Sequence, residues 1–105
     1  MRTSFFKPNS EAAITRAVRH FLRLKRIFHF KHFGTLGSEP GVPDIVGVLP
    51  GGRALYLEIK TDKGKLSEKQ KNFLFNAQTS GAVATVVRSV EDVEKVVNEA
   101  MRGTI

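Results

Sequence analysis

The four residues Pro50, Gly51, Gly52 and Arg53 separate two runs of β-forming residues, DIVGVL at 44–49 and ALYLEIKT at 54–61, and they limit the fold more than any other feature. So short a Gly-rich interval suits an antiparallel hairpin, because parallel strands need a crossover of a dozen residues or more. Asp44 and Glu58 are almost equally distant from the turn at Gly51, so the hairpin sets them opposite or nearly opposite each other. Side chains alternate along a strand, which gives Tyr56, Glu58 and Lys60 one face and Leu55, Leu57 and Ile59 the other. Two carboxylates and an ammonium therefore converge. Like charges facing each other destabilise a sheet unless a cation lies between them or one acid holds its proton, and a hard divalent metal meets that need.

An isolated E-x-K is ordinarily a solvent-facing stretch of a one-sided sheet, and an Asp after Pro43 ordinarily just begins a strand. That reading weakens here because the Asp follows GVP at hairpin-matched distance, and because other polar residues point to the same place. Glu11 lines up with Ile14, Val18, Phe21 and Leu22 on the inward stripe of a first helix, at its N-terminal end. It either complements the helix dipole or reaches the metal. Gln70 precedes Phe73 and Leu74 by three and four residues and faces inward, although Ser67 and Gln70 also form a capping box that explains a Gln at that place.

The remaining elements follow from periodicity. Asn9 and Ser10 cap a helix after Pro8 in which Ile14, Ala17, Val18, Phe21, Leu22 and Leu24 recur to about Lys25. RIFHFKHF, with Phe28 and Phe30 at alternate positions, reads as a strand, and GTLGSEPG as a mobile loop. LSEKQKNFLFNAQTSG reads as a second helix stopped at Gly81, and AVATVVRS as a buried fourth strand. The final segment presents Val90, Val93, Val96, Val97, Ala100 and Met101 on one helical face. The order is αβββαβα, in one layered α/β domain spanning 1–105.

The 105 residues include 17 Lys and Arg against 10 acidic residues, a formal net charge of +7, which draws polyanions and makes nucleic acid the default partner. Cysteine is absent, which excludes disulfide scaffolds, Cys-ligated zinc, iron–sulfur centres and thiol nucleophiles. Phe5 and Phe6 before Lys7 and Pro8 are too short a run for a signal segment, and no later run approaches a membrane span. The expected location is therefore soluble and cytoplasmic, in a bacterial cell or a phage-infected host, with no membrane partner. His20, His29 and His32 lack the spacing of a zinc site, so phosphate contact or surface placement is their ordinary fate. DKGKL lacks the upstream glycine and the following Ser or Thr of a phosphate-binding loop, so no nucleotide cofactor is indicated.

VPD at 42–44, LEIK at 57–60, the preceding helix with Glu11, and KGKLSEKQ at 63–70 resemble the VRR-NUC branch of the PD-(D/E)XK nuclease superfamily. The resemblance runs from about Ser10 to Val93. It implies a restriction-endonuclease-like αβββαβ core, here with an additional C-terminal helix, and divalent-metal-dependent hydrolysis of DNA phosphodiesters. By the same resemblance Asp44 and Glu58 bind Mg²⁺ or Mn²⁺, the Ile59 carbonyl adds a ligand, Lys60 orients the attacking water or stabilises developing charge, and Glu11 completes the acidic cluster. Gln70 is carried as a further catalytic candidate. Arg16, Arg19, Arg23, Lys25 and Arg26 on or after the first helix, Lys31 on the first strand, and Lys63 and Lys65 after the third form a candidate backbone-binding surface.

Three function classes stay open: a structure-specific endonuclease acting on four-way (Holliday) junctions or other branched DNA, a flap, nicking or restriction-like nuclease, and a nucleic-acid-binding protein without cleavage activity. The absence of Trp and the single Tyr leave little sign of a stacking platform for single strands, which favours duplex or branched DNA. The resemblance implies a homodimer. Phe28, Phe30 or Phe33 could pack against a partner, core packing being the ordinary fate of at least two of them.

Overall fold

Ser10 opens the first helix, its hydroxyl accepting from the Ala13 N–H at 3.1 Å. The computed structural model describes residues 10–105. Pro8 and Asn9 of the predicted helix start, the Phe5–Phe6 pair and the first nine residues of the proposed domain lie outside the described residues. Helix α1 covers Glu11–Leu24 and buries Ile14, Thr15, Val18, Phe21 and Leu22. Thr15 is tolerated there because its hydroxyl donates to the Glu11 carbonyl at 2.7 Å. Leu24, predicted on the apolar stripe, is exposed because it falls in the last turn, beyond the sheet. Arg26 takes a positive φ of 58° and lets the Ile27 N–H return to the Leu22 carbonyl, closing the helix end.

Four strands follow the predicted runs: β1 (Phe28–Lys31), β2 (Ile45–Val48), β3 (Ala54–Ile59) and, after helix α2 (Glu68–Thr79), β4 (Val83–Val87). Helix α3 (Val90–Arg102) closes the order αβββαβα. The sheet runs β1-β2-β3-β4, with β1 and β2 antiparallel, β2 and β3 antiparallel, and β4 parallel to β3 through the α2 crossover. Within the hairpin Ile45 pairs with Leu57 and Val48 with Ala54, and the Leu49 N–H closes the turn on the Arg53 carbonyl. Gly51 and Gly52 take φ of 98° and 101°, which β-carbon-bearing residues rarely adopt. The register therefore passes from turn to Asp44 without slipping, and no bulge at Pro50 is needed to hold it.

The two sheet faces are covered unequally. Leu55, Leu57, Ile59, Val83 and Val87 join Ile14, Val18, Phe21 and Leu22 of α1 and Val93 and Val97 of α3 in one buried cluster. Met101, predicted on the apolar face of α3, is half exposed in its last turn. On the opposite face α2 covers β3 and β4, with Phe73 edge-on to Tyr56 at 5.1 Å between centroids. It leaves the β1–β2 half bare. Phe28 and Phe30 are 68% and 48% exposed, and Phe33 beyond them is 68% exposed, so none of the three takes the core position that is ordinary for such residues. Among the described residues no helix is long and apolar enough to cross a membrane.

Candidate active site

The hairpin register extends one step past Ile45 and Leu57 to set Asp44 across from Glu58, both on the face that carries α2. A bond anchors the pair: Asp44 Oδ2 accepts from the backbone N–H of Ile59 at 2.8 Å. The Asp44 carbonyl in turn accepts from the His32 N–H at 2.7 Å, extending the β1–β2 ladder by one rung. Asp44 is thus fixed from both neighbouring strands. Pro43 before it is fully buried. Gly41 explains the rest of the GVPD stretch: its φ is 80°, and a Cβ there would stand 2.3 Å from the Lys69 carbonyl oxygen. Only glycine lets this loop lie against the first turn of α2, the turn that carries Gln70.

Glu58 is 4% exposed, a buried acid between the core residues Leu57 and Ile59. Its Oε2 accepts from Gln70 Nε2 at 3.1 Å and lies 3.9 Å from Lys60 Nζ. Gln70 does two jobs at once, since its Oε1 also accepts from the Ser67 N–H at 2.9 Å in the capping box, so the cap holds the amide in position to donate to Glu58. The competing explanations of Gln70 both hold. Burial, then the Asp44 charge and a carboxyl–carboxyl hydrogen bond with Asp44, push the Glu58 pKa up to about 8. Lys60 opposes this and Glu11 adds slightly to it. The Lys60 ammonium, 3.9 Å from Glu58, offsets only part of the rise that burial and Asp44 produce.

Glu11 is exposed at the head of α1, close enough to Glu58 to bear on its ionisation. Among the described residues no three His, Cys, Asp or Glu side chains converge as a metal cage; the acids brought together are Asp44 and Glu58, with Glu11 outside that contact. The side chain of Ile59 is fully buried in the core, so only its backbone is available to the site. The donor set here is carboxylate oxygen with backbone carbonyl oxygen beside it, the set that hard Mg²⁺ or Mn²⁺ takes, and a cation would offset the burial and the Asp44 charge that raise the Glu58 pKa.

The basic candidates separate by position. Lys63 and Lys65 are exposed on the loop that follows Lys60. Arg16 and Arg23 are exposed along α1, on the other side of the sheet. Lys25 and Arg26 are exposed at the end of that helix, with the Lys25 ammonium 5.8 Å from the Phe21 ring. Arg19 is half buried with its Nε enclosed and without a hydrogen-bond partner, so it is turned inward. Lys31 sits 4.7 Å over the Phe33 ring. His20 is exposed, while His29 and His32 are half buried, and His29 Nδ1 contacts the Ile27 carbonyl at 2.9 Å. Sequence reasoning missed Arg88, whose guanidinium reaches the carbonyls of Thr61 and Gly64 behind the site. It lies far along the chain from Lys60 and belongs to no motif.

Comparison with known proteins agrees with this architecture. The family model described as the VRR-NUC domain matches residues 5–91. A solved structure described as a VRR_NUC domain protein superposes with a TM-score of 0.73 at 17% identity, covering 89% of this chain and 88% of that one. Another, described as a VRR_NUC domain, gives 0.71 at 22% identity over 84% and 94% of the two chains. No protein of curated function matches. With the family model spanning most of the sequence and the αβββαβ core in place, the chain belongs to the VRR-NUC domain family and has its nuclease-type fold.

Proposed function

We propose that this protein is a divalent-metal-dependent endonuclease that hydrolyses phosphodiester bonds in branched DNA, four-way junctions first among them. One observation carries the reading: a buried acid, Glu58, is held against a second acid, Asp44, at the edge of a basic protein, with an amide and an ammonium arranged around it. So costly an arrangement is expected where chemistry needs it. Asp44 and Glu58, with the Ile59 carbonyl, are the residues that would hold Mg²⁺ or Mn²⁺; Glu11 adds its charge to theirs from the head of α1. When bound, the ion supplies a lowered water pKa and charge neutralisation for an anionic substrate.

The protein's own groups do the remainder. Gln70 donates to Glu58 and fixes its carboxyl plane. Lys60, its side chain only 14% exposed, keeps a compact positive charge on the face where the phosphate must lie, there to steady the nucleophilic water or developing negative charge. Lys63 and Lys65 extend that charge along a DNA backbone, and Arg16 and Arg23 offer further phosphate contacts.

A homodimer suits this activity, since two sites related by a two-fold axis match the approximate symmetry of a junction. The exposed Phe28, Phe30 and Phe33, on and beyond an edge strand whose face away from α1 carries no helix, supply an apolar surface for such a pairing. Labelled duplex, flap and four-way junction DNA incubated with Mg²⁺ and with EDTA tests the proposal. Paired, Mg²⁺-dependent cuts in the junction support it. Cutting of flaps or nicks alone makes it a repair-type nuclease, and binding with no cutting of any substrate leaves a binding protein.

A further inference from the structure

Lys60 is held from behind by β4 and the residue that follows it. Its backbone N–H donates to the Val87 carbonyl at 3.1 Å. From the next residue, Arg88 Nη1 donates to the Thr61 carbonyl at 2.5 Å and the Gly64 carbonyl at 2.8 Å, and lies 3.4 Å from that of Asp62. Thr61 and Gly64 also close a turn on themselves, the Gly64 N–H donating to the Thr61 carbonyl at 3.1 Å. Carbonyl dipoles gathered on one guanidinium nitrogen are charge-assisted and part buried, which makes them strong for a loop otherwise open to water. The Arg88 backbone is itself fixed, its N–H donating to Asp92 Oδ2 at 2.8 Å in the first turn of α3.

The tightened turn bears directly on the lysine. A Cβ at Gly64 would meet Lys60 Cδ at 3.2 Å and Lys60 Cβ at 3.4 Å, so the bare Cα of Gly64 is the wall against which the aliphatic stem of Lys60 lies. Its ammonium ends 3.9 Å from Glu58. A four-carbon stem has many rotamers, and this wall removes those that swing the ammonium away.

We infer that Arg88 is a positioning residue for Lys60, acting through the Thr61–Gly64 turn and touching neither metal nor DNA. The inference rests on the nuclease reading for its consequence, but the clamp itself is testable without it. In Arg88→Ala, the Gly64 amide hydrogen, the one in the loop that donates to a carbonyl, should exchange at least about tenfold faster while those of Leu57 and Ile59 keep their protection. Single-turnover cleavage should slow by about tenfold or more with KM within about twofold of wild type, and Arg88→Lys should restore part of it. Adding Arg88→Ala to Lys60→Ala should cost nothing further, because the lysine it positions is gone. Gly64→Ala, which keeps the Arg88 contacts and has no positive φ to strain it, should slow cleavage through Lys60 with the loop still protected, and it serves if Arg88→Ala does not fold. Unchanged exchange in the loop, a purely KM effect, or full additivity with Lys60→Ala would overturn the inference. Exchange that quickens in a protein cutting no DNA would keep the clamp and reject the nuclease reading instead.

Discussion

Asp44 Oδ2 accepts a hydrogen bond from the backbone N–H of Ile59, the residue between Glu58 and Lys60. One acid is thereby indexed to the backbone of the strand that carries the other acid and leads directly into the lysine, so the three cannot drift apart without breaking the hairpin. Asp44→Asn and Glu58→Gln should each reduce Mg²⁺-dependent cleavage by at least about a hundredfold while gel-shift affinity for DNA persists. Lys60→Ala should lose activity to a comparable degree and still bind Mn²⁺; weakened Mn²⁺ binding would make the lysine part of the metal's support rather than of the reaction.

Without metal, the raised pKa of Glu58 fixes the sign of a pH effect. In the folded protein burial and the Asp44 charge push the Glu58 carboxyl up to about 8, whereas in the unfolded chain it has the ordinary carboxylate value near 4.5. The protein stabilisation linked to this proton is complete below the lower value and is lost as pH rises through that window. Metal-free denaturant midpoints should fall between pH 5 and 8, and Glu58→Gln should flatten that part of the profile.

Gln70 can be separated from its cap. Ser67→Ala removes the hydroxyl acceptor of the capping box and should cost about 1 kcal/mol of stability with modest loss of cleavage. Gln70→Glu keeps an acceptor for the Ser67 N–H but sets a third carboxylate against Glu58, so cleavage should fall far more than stability. Equal loss in both variants would make Gln70 a cap alone.

Much of this site was legible in the sequence because it follows from local rules. The Pro-Gly-Gly turn fixed the register, period two fixed the face, and S-x-x-Q fixed the start of α2, so Asp44, Glu58, Lys60 and Gln70 meet as their spacing requires. Less legible were contacts between residues distant in sequence. Nothing in the alternation of Phe28 and Phe30 reveals that α2 covers β3 and β4 but stops short of β1. Arg19 shares the helical spacing of Arg16 and Arg23, yet its Nε is enclosed, which depends on packing. Arg88 bonds the Thr61 and Gly64 carbonyls from the end of the neighbouring strand and leaves no local pattern.

Gly41 and Gly51 separate two costs of a β-carbon. Both have positive φ, but a Cβ at Gly51 meets nothing within 4 Å, whereas at Gly41 it strikes the Lys69 backbone. Gly51→Ala should cost about 1 kcal/mol. Gly41→Ala should cost more, by about 2 kcal/mol or beyond, and should also reduce cleavage because the loop carries Asp44 and the helix turn carries Gln70. Thermal unfolding of the two variants side by side checks the order.

If Lys63 and Lys65 follow the DNA backbone, replacing each by Ala should weaken binding evenly across sequences and lower the slope of log affinity against log salt by about 0.9. Arg19→Ala should lower that slope less than either lysine variant, since Arg19 is half buried and its Nε is enclosed. A salt slope insensitive to both lysines would move the DNA track away from the loop.

Calorimetric titration of Mn²⁺ into metal-free protein at pH 7, in two buffers of different ionisation enthalpy, tests the account most directly. Glu58 holds a proton in the absence of metal, so a cation at the Asp44–Glu58 pair must displace it. The account predicts saturable binding with release of about one proton, lost in both Asp44→Asn and Glu58→Gln. Binding of equal strength in either variant, or binding with no proton released, would contradict it.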